Sequence, residues 1–295
     1  MARATGAGSN HKPVTVRGGR VTPLYYCFLN IAKTLLTVRS ATFSARHGLS
    51  PTQSGNRIAL KNEVIHFKTG GVFPAFSRQF GSPILKEEVH TLQSVLYNLP
   101  YVHRAYSLTY SNTTERFFPL TYVALMRDEL SRRARLQADV PARYNSGHFI
   151  KSLPSGWEKT PSNGPDVTMR RKKGIKWLGN DVDGSLDRLA NYNRSARKDL
   201  DIVYAPQNRW YLRKNVSSDD SMPHPSPVLT LAAMHTLSEL CRYDPKRMKR
   251  HFDARHNFLL AEFVRQAPAQ YLHAVACEIS GREFLRPDSY GSESA

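Results

Sequence analysis

The stretch Thr22-Pro23-Leu24-Tyr25-Tyr26-Cys27-Phe28-Leu29-Asn30-Ile31-Ala32-Lys33-Thr34-Leu35-Leu36-Thr37-Val38 sets the architecture. Threonine followed by proline is a helix-start signal. The hydroxyl can accept from free backbone N–H groups, and proline fits the first turn. Leu24, Phe28, Ile31, Leu35 and Val38 then recur every three or four residues, the spacing that lines one helical face. A buried amphipathic helix over 22–40 is expected. Asn30 and Lys33 interrupt the apolar run before it reaches the roughly 18 residues that cross a bilayer, so no membrane partner is expected.

The far end of the chain repeats the pattern. Ser226-Pro227 opens a helix carrying Val228, Leu231, Leu237, Leu240 and Cys241, which stops before Pro245. A second helix is expected over 246–266 and a third over 268–280, ended by Gly281. Three sequential helices with short joints read as a small bundle. Between the two ends the signals are mixed. Glu63 to Phe67 alternates like a strand, and Gly70-Gly71 breaks it. Residues 85–96 and 120–135 read as helices, 101–110 as β-prone and aromatic, 152–184 as loops or hairpins, and 203–212 as a strand.

The expected fold class is therefore α+β and mainly helical. Its N- and C-terminal helices pack as a bundle around a β-containing basic middle region. The expected domains are a disordered basic arm over 1–20, one globular domain over 21–286, and a disordered tail over 287–295. Within the domain, 152–225 reads as a loop-rich basic insertion and 226–281 as the helical bundle.

Charge narrows the function. Lysine and arginine number 42 against 24 aspartates and glutamates, a formal net charge of +18 over 295 residues. The first acidic residue is Glu63. An excess of this size favours a polyanion through counterion release and long-range attraction. Nucleic acid is the first candidate partner, RNA ahead of DNA, and an acidic protein the second. A solvated basic face is the plain alternative. Cys27, Cys241 and Cys277 are odd in number and lack CxxC spacing, which fits small core residues in a reducing compartment. No P-loop, GxGxxG, HExxH or GxSxG is present. Asp181-Val182-Asp183-Gly184-Ser185 lacks both the strand a phosphatase needs and the glutamate a calcium loop needs. No cofactor and no metal ligand is assigned.

Two stretches carry a resemblance. Tyr25 to Leu36 is followed by His47-Gly48-Leu49. Near the end, Leu231-Ala232-Ala233-Met234-His235 leads into Leu237-Ser238-Glu239-Leu240-Cys241-Arg242-Tyr243-Asp244-Pro245. Their order and spacing resemble the bacterial YaaC-like family, which implies a cytoplasmic protein and transfers no catalytic residue. A fainter similarity is to HEPN domains, in which a helix with a Tyr-Tyr pair precedes a His-Gly-type turn. That similarity implies a helical bundle, a homodimer, and metal-independent RNA cleavage in a bacterial defence or stress system. Active HEPN members carry arginine, four to six residues, then histidine. Here Arg39 lies too far before His47 and Arg46 is adjacent to it, whereas Arg143 to His148 and Arg250 to His256 have the spacing.

Histidine and arginine near neutral pH supply the base, acid and phosphate-binding charge that metal-free RNA cleavage needs. His47, Arg250 and His256 are the candidate catalytic residues on this reading. His235 reads as a satisfied core histidine. The run Arg170-Arg171-Lys172-Lys173, followed by Lys176 and Trp177, joins phosphate-binding charge to a stacking surface. With Arg46, Arg209 and Arg242 it makes up the candidate nucleic-acid-binding set. The competing expectation is a non-catalytic adaptor or subunit that docks an acidic protein or nucleoprotein through the same basic surface.

Overall fold

The computed structural model describes residues 18–128, 131–162, 164–176, 182–204, 209–216 and 221–281. Most of the expected basic arm, the whole of the expected tail, Trp177 and Asp181 lie outside the described residues. Gly18–Arg20 form a 3-10 turn. In chain order there follow α1 (Val21–Val38), β1 (Leu49–Gln53), β2 (Glu63–Phe67), α2 (Val72–Gln79), β3 (Glu88–Thr91), α3 (Leu92–Tyr97) and α4 (His103–Thr109). The middle of the chain holds β4 (Phe117–Leu120), β5 (Tyr122–Asp128), β6 (Arg133–Val140), α5 (Gly147–Ser152), β7 (Trp157–Lys159), β8 (Val167–Arg171) and β9 (Ile175–Lys176). The rest is α6 (Val182–Ala196), β10 (Leu200–Val203), β11 (Arg209–Arg213), α7 (Ser226–Tyr243), α8 (Pro245–Phe252) and α9 (Asn257–Ser280).

Among the described residues the fold is α+β, with 48% helix and 21% strand in three antiparallel sheets. This corrects the expectation of a mainly helical bundle. The largest error falls on 120–135, which is not a helix. There β5 pairs with β6 in register from Tyr122 opposite Asp139 to Asp128 opposite Arg133. The buried residues of β6, Ala134, Ala138 and Val140, fall at even spacings, the strand period rather than the helical one. The opposite error falls on 101–110, where a 3-10 turn and α4 replace the expected strand. Tyr106 and Tyr110 sit four apart and their rings meet at 4.8 Å, as neighbours on a helix do.

Among the described residues two large hydrophobic cores form, beside a third, small cluster of Ala134, Ile175 and Tyr192. The first joins both ends of the chain: α1 packs against α7 and α9, and α7 packs against α8 and α9. Tyr25, Phe28, Ala32, Leu35 and Leu36 of α1 are buried there with Leu231, Met234, Phe263 and Tyr271. Phe28 stacks on Tyr271 with centroids 4.3 Å apart. The sheet β1-β2-β3 lies against this core, and α7 touches β1 and β2. The second core draws on residues between Phe118 and Leu212, including Trp157 and Met169, beneath the other two sheets. Pro268 does not break the last helix: α9 runs from Asn257 to Ser280 and ends on left-handed Gly281. The expected helix over 246–266 is instead divided between α8 and α9.

Candidate functional site

The first turns of α1, the loop before β1 and the second half of α7 meet at one place. His235, Glu239 and Arg242 lie at positions i, i+4 and i+7 of α7, so one helical face carries all three. Tyr25 reaches this face from α1. Its ring meets His235 edge-on at 4.9 Å, and its hydroxyl lies 2.5 Å from His47 Nδ1. The rings of His47 and His235 are 5.4 Å apart. His47 is exposed and His235 is 3% exposed, so the cluster runs from solvent into the core.

His47 is held by backbone on its other side. Its carbonyl accepts from Phe73 N at 2.9 Å, and the Arg46 carbonyl accepts from Val72 N at 2.9 Å. These bonds use N–H groups at the start of α2, which have no partner within their helix. The two chain segments approach through glycines. Gly71 has φ +122°, and a Cβ there would meet Arg46 O and Gly48 N at 2.7 Å. Gly48 has φ +79°, and a Cβ there would meet Pro74 Cδ at 2.5 Å. A side chain at either position would displace the loop that carries His47.

The electrostatics favour neutral rings. Packing lowers the His47 pKa, with Lys33 and Arg242 acting in the same direction and Glu239 against it. Burial, reinforced by Glu239, raises the Tyr25 phenol well above its ordinary value, so it stays protonated. His235 is pushed down to about 3 by burial, then by His47 and Arg242. Its Nδ1 is buried without a hydrogen-bond partner, as is Ser238 Oγ one turn further along α7. The expected satisfied core histidine is in the core but is not satisfied. A buried orphan costs about 1–3 kcal/mol, and such groups concentrate where function overrides stability.

Aromatic rings and charge surround the mouth. Tyr26 is 42% exposed and Tyr243 is 69% exposed. The Arg242 guanidinium lies 4.7 Å from the Tyr243 ring centroid and 5.9 Å from that of Tyr26. It donates to Tyr243 Oη at 2.6 Å and to Glu239 Oε1 at 3.3 Å. Arg46 is exposed on the loop beside His47.

Arg250 and His256 do not join this cluster. Arg250 is exposed on α8. His256 is buried, and its Nε2 lies 2.8 Å from His251 Nδ1. His251 Nε2 is in turn 2.7 Å from Glu63 Oε1, which also accepts from Arg247 at 2.6 Å. Burial, then His251 and Arg255, push His256 down to about 4. This network ties α8 and the start of α9 to β2 and has no open face to a substrate. Arg250 lies outside this network, exposed on α8, while His256 is buried within it, so the structure does not bring the two together.

The basic run is also divided. Alternation along β8 turns Val167, Met169 and Arg171 inward and Arg170 outward. Arg171 is buried, donates to Tyr192 O and Ser195 Oγ, and lies 4.8 Å from the Tyr192 ring centroid. Burial removes it from any surface contact. Arg170 pairs with Glu158 at 2.8 Å, and Lys172 donates to Ser155 O at 2.8 Å. Lys173, Lys176 and Arg209 are exposed, with no ion pair among the described residues. Several other cations are met by carboxylates: Arg213 by Asp201, Arg39 and Arg197 by Glu278, Lys214 by Glu115.

One grouping was not read from the sequence. Glu88 and His90 of β3 and His224, just before α7, bring their ligand atoms within 4.8 Å of one another. The expected helix over 85–96 hid the Glu88/His90 pair: the structure places both on one face of β3, and the helix, α3, begins only at Leu92. The pair's meeting with His224, 134 positions later than His90, depends on the tertiary fold.

The expected core role for the cysteines meets a mixed result: Cys277 is buried, Cys241 intermediate and Cys27 exposed, and none of the three is in a disulfide among the described residues. Among the described residues no helix is long and apolar enough to cross a membrane.

The class defined by this geometry is an α+β protein whose terminal helices frame a Tyr–His–His cluster. The chain belongs to the YaaC-like family, whose model, described as YaaC-like Protein, matches residues 19–279. The match spans α1, α7 and nearly all of α9, so every residue of the cluster lies within it. The HEPN similarity is not shown by any comparison. No curated protein and no solved structure matches the chain.

Proposed function

We propose that this protein binds single-stranded RNA at the Tyr25–His47–His235 cluster. The observation that carries the reading is the arrangement of Arg242 between two exposed rings, Tyr26 and Tyr243, beside an exposed and oriented His47. Bases stack on aromatic faces without regard to sequence, and guanidinium groups bind phosphate. Arg46 and Lys33 add charge at the same mouth, and the net charge of +18 supplies long-range attraction. Glu239 offsets part of the Arg242 charge and orients its guanidinium.

His47 is the group for proton transfer. Its Nδ1 is engaged by Tyr25, which leaves Nε2 for a ligand, and its lowered pKa keeps the ring neutral at pH 7. A neutral imidazole can take the proton of a ribose 2′-hydroxyl as the 2′-oxygen bonds to phosphorus. The P–O5′ bond then breaks and the leaving oxygen takes a proton from water.

Labelled single-stranded RNA incubated with the purified protein in EDTA tests both parts. The expected result is a bound complex and slow cleavage that disappears in His47→Ala. Binding without cleavage in the unaltered protein would remove the proton-transfer role and leave a non-catalytic RNA-binding or adaptor subunit. Absence of binding would overturn the whole reading in favour of an acidic protein partner.

A further inference from the structure

We infer that Glu88, His90 and His224 form a site for a single divalent transition metal of the zinc class. This goes beyond the RNA-binding reading and does not depend on it. The three residues come from two distant parts of the chain. Glu88 and His90 project from one face of β3, two residues apart, and His224 lies on the segment that leads into α7. Glu88 Oε2 is 2.9 Å from His90 Nε2 and 2.8 Å from His224 Nε2. All three donor atoms lie within 4.8 Å of one another. A tetrahedral zinc ion with bonds of about 2.0–2.1 Å holds its donors roughly 3.3 Å apart. Lengthening each of the two Glu88–histidine distances by about half an ångström brings them to that spacing.

The surroundings have the form of a second coordination sphere. His224 is 2% exposed, and its Nδ1 lies 2.7 Å from Ser82 Oγ. A hydroxyl both donates and accepts. Ser82 can therefore donate to Nδ1 when Nε2 carries the proton toward Glu88, and accept from Nδ1–H when Nε2 binds a metal. The imidazole changes tautomer without needing a new partner, as histidine ligands held from their second nitrogen do. The Phe67 ring packs against both imidazoles, with centroids 4.8 Å from His90 and 5.5 Å from His224, which fixes their orientation. Glu88 and His90 remain partly open to solvent, so an ion has an entry path.

Two imidazoles and one carboxylate suit zinc, cobalt or iron far better than magnesium or calcium, which take oxygen donors. Three protein donors leave one position of a tetrahedral ion for water. A bound ion would also clip β3 to the start of α7, the helix that carries His235 and Arg242.

The test uses the full chain, stripped with EDTA, then titrated with Zn²⁺ by calorimetry and with Co²⁺ by visible absorption. One equivalent of either metal should bind, with a tetrahedral cobalt spectrum and a rise in Tm, while Mg²⁺ does neither. His90→Asn and Glu88→Gln, both at partly exposed positions, should keep the circular dichroism of the parent and lose stoichiometric binding. Ser82→Ala should retain binding weakened by about tenfold. Absence of stoichiometric Zn²⁺ binding overturns the site. So does binding that survives both ligand variants, which would assign the ion to the cysteines or other histidines.

Discussion

The hydroxyl of Tyr25 and Nδ1 of His47 lie 2.5 Å apart, across 22 residues of sequence. The contact joins the first turns of α1 to the loop before β1, and it is made where burial gives way to solvent. Behind His47 the Gly48–Gly71 approach fixes the loop. Beneath Tyr25 the His235 ring fills the space toward the core. The exposed imidazole is therefore oriented from two sides before any ligand arrives, which lowers the entropic cost of engaging one.

His235→Phe should stabilise the protein. Phenylalanine keeps an aromatic edge against Tyr25 and removes the Nδ1 atom that is buried without a partner. The expected gain is about 1 kcal/mol, read as a higher midpoint in urea denaturation. A loss of similar size would show that Nδ1 has a partner in solution, such as an ordered water.

Glu63→Gln should be strongly destabilising. Arg247 and His251 both bond the Glu63 carboxylate, and all three are buried. Removing the charge leaves a buried guanidinium uncompensated, which costs about 3–5 kcal/mol. Equilibrium denaturation measures it, and an unchanged midpoint would contradict the assignment of this network as the tie between β2 and α8.

Stability should fall with acid between about pH 6.5 and pH 4. His235 and His256 have folded pKa values near 3 and 4, both below the unfolded value of 6.5. Through this window the unfolded chain takes up protons that the folded chain refuses, so unfolding becomes easier as pH drops. Each histidine contributes up to about 1.4 kcal/mol per pH unit. In thermal melts across the window, His235→Phe should flatten the slope, and an unaltered slope would contradict the burial of a neutral ring there.

Gly71→Ala should shift His47 as well as destabilise the fold. The alanine Cβ would press on Arg46 O and Gly48 N at 2.7 Å in a left-handed conformation. The cost is about 1–3 kcal/mol. The imidazole resonances of His47 should move in NMR spectra of the variant. Unmoved resonances would show that the loop is held by other contacts.

What the sequence made legible follows from range. The amphipathic period of α1 and the alternation of β2 are local, and both elements formed where expected. The same alternation in β8 could have shown Arg171 turned inward with Val167 and Met169, but the run of four cations masked it. In β5 and β6, short strands carrying arginine and alanine mimic a helical composition, and only cross-strand pairing decides between them. His47, His235 and Arg242 stood out singly. Their convergence, and the union of His251 with Glu63 across 188 residues, rest on packing between distant segments that no local pattern encodes. Arg250 to His256 had the right spacing for a catalytic pair, yet α8 ends at Phe252 between them.

The most direct measurement is the affinity of fluorescein-labelled single-stranded RNA for the parent protein and for Arg242→Ala, each across a range of salt. If RNA meets the protein at Arg242, binding weakens steeply with salt, and the variant's affinity falls by about tenfold with a log–log slope shallower by roughly one. Equal affinity and equal slope for the two proteins would contradict it, because Arg242 would then lie outside the surface that meets phosphate.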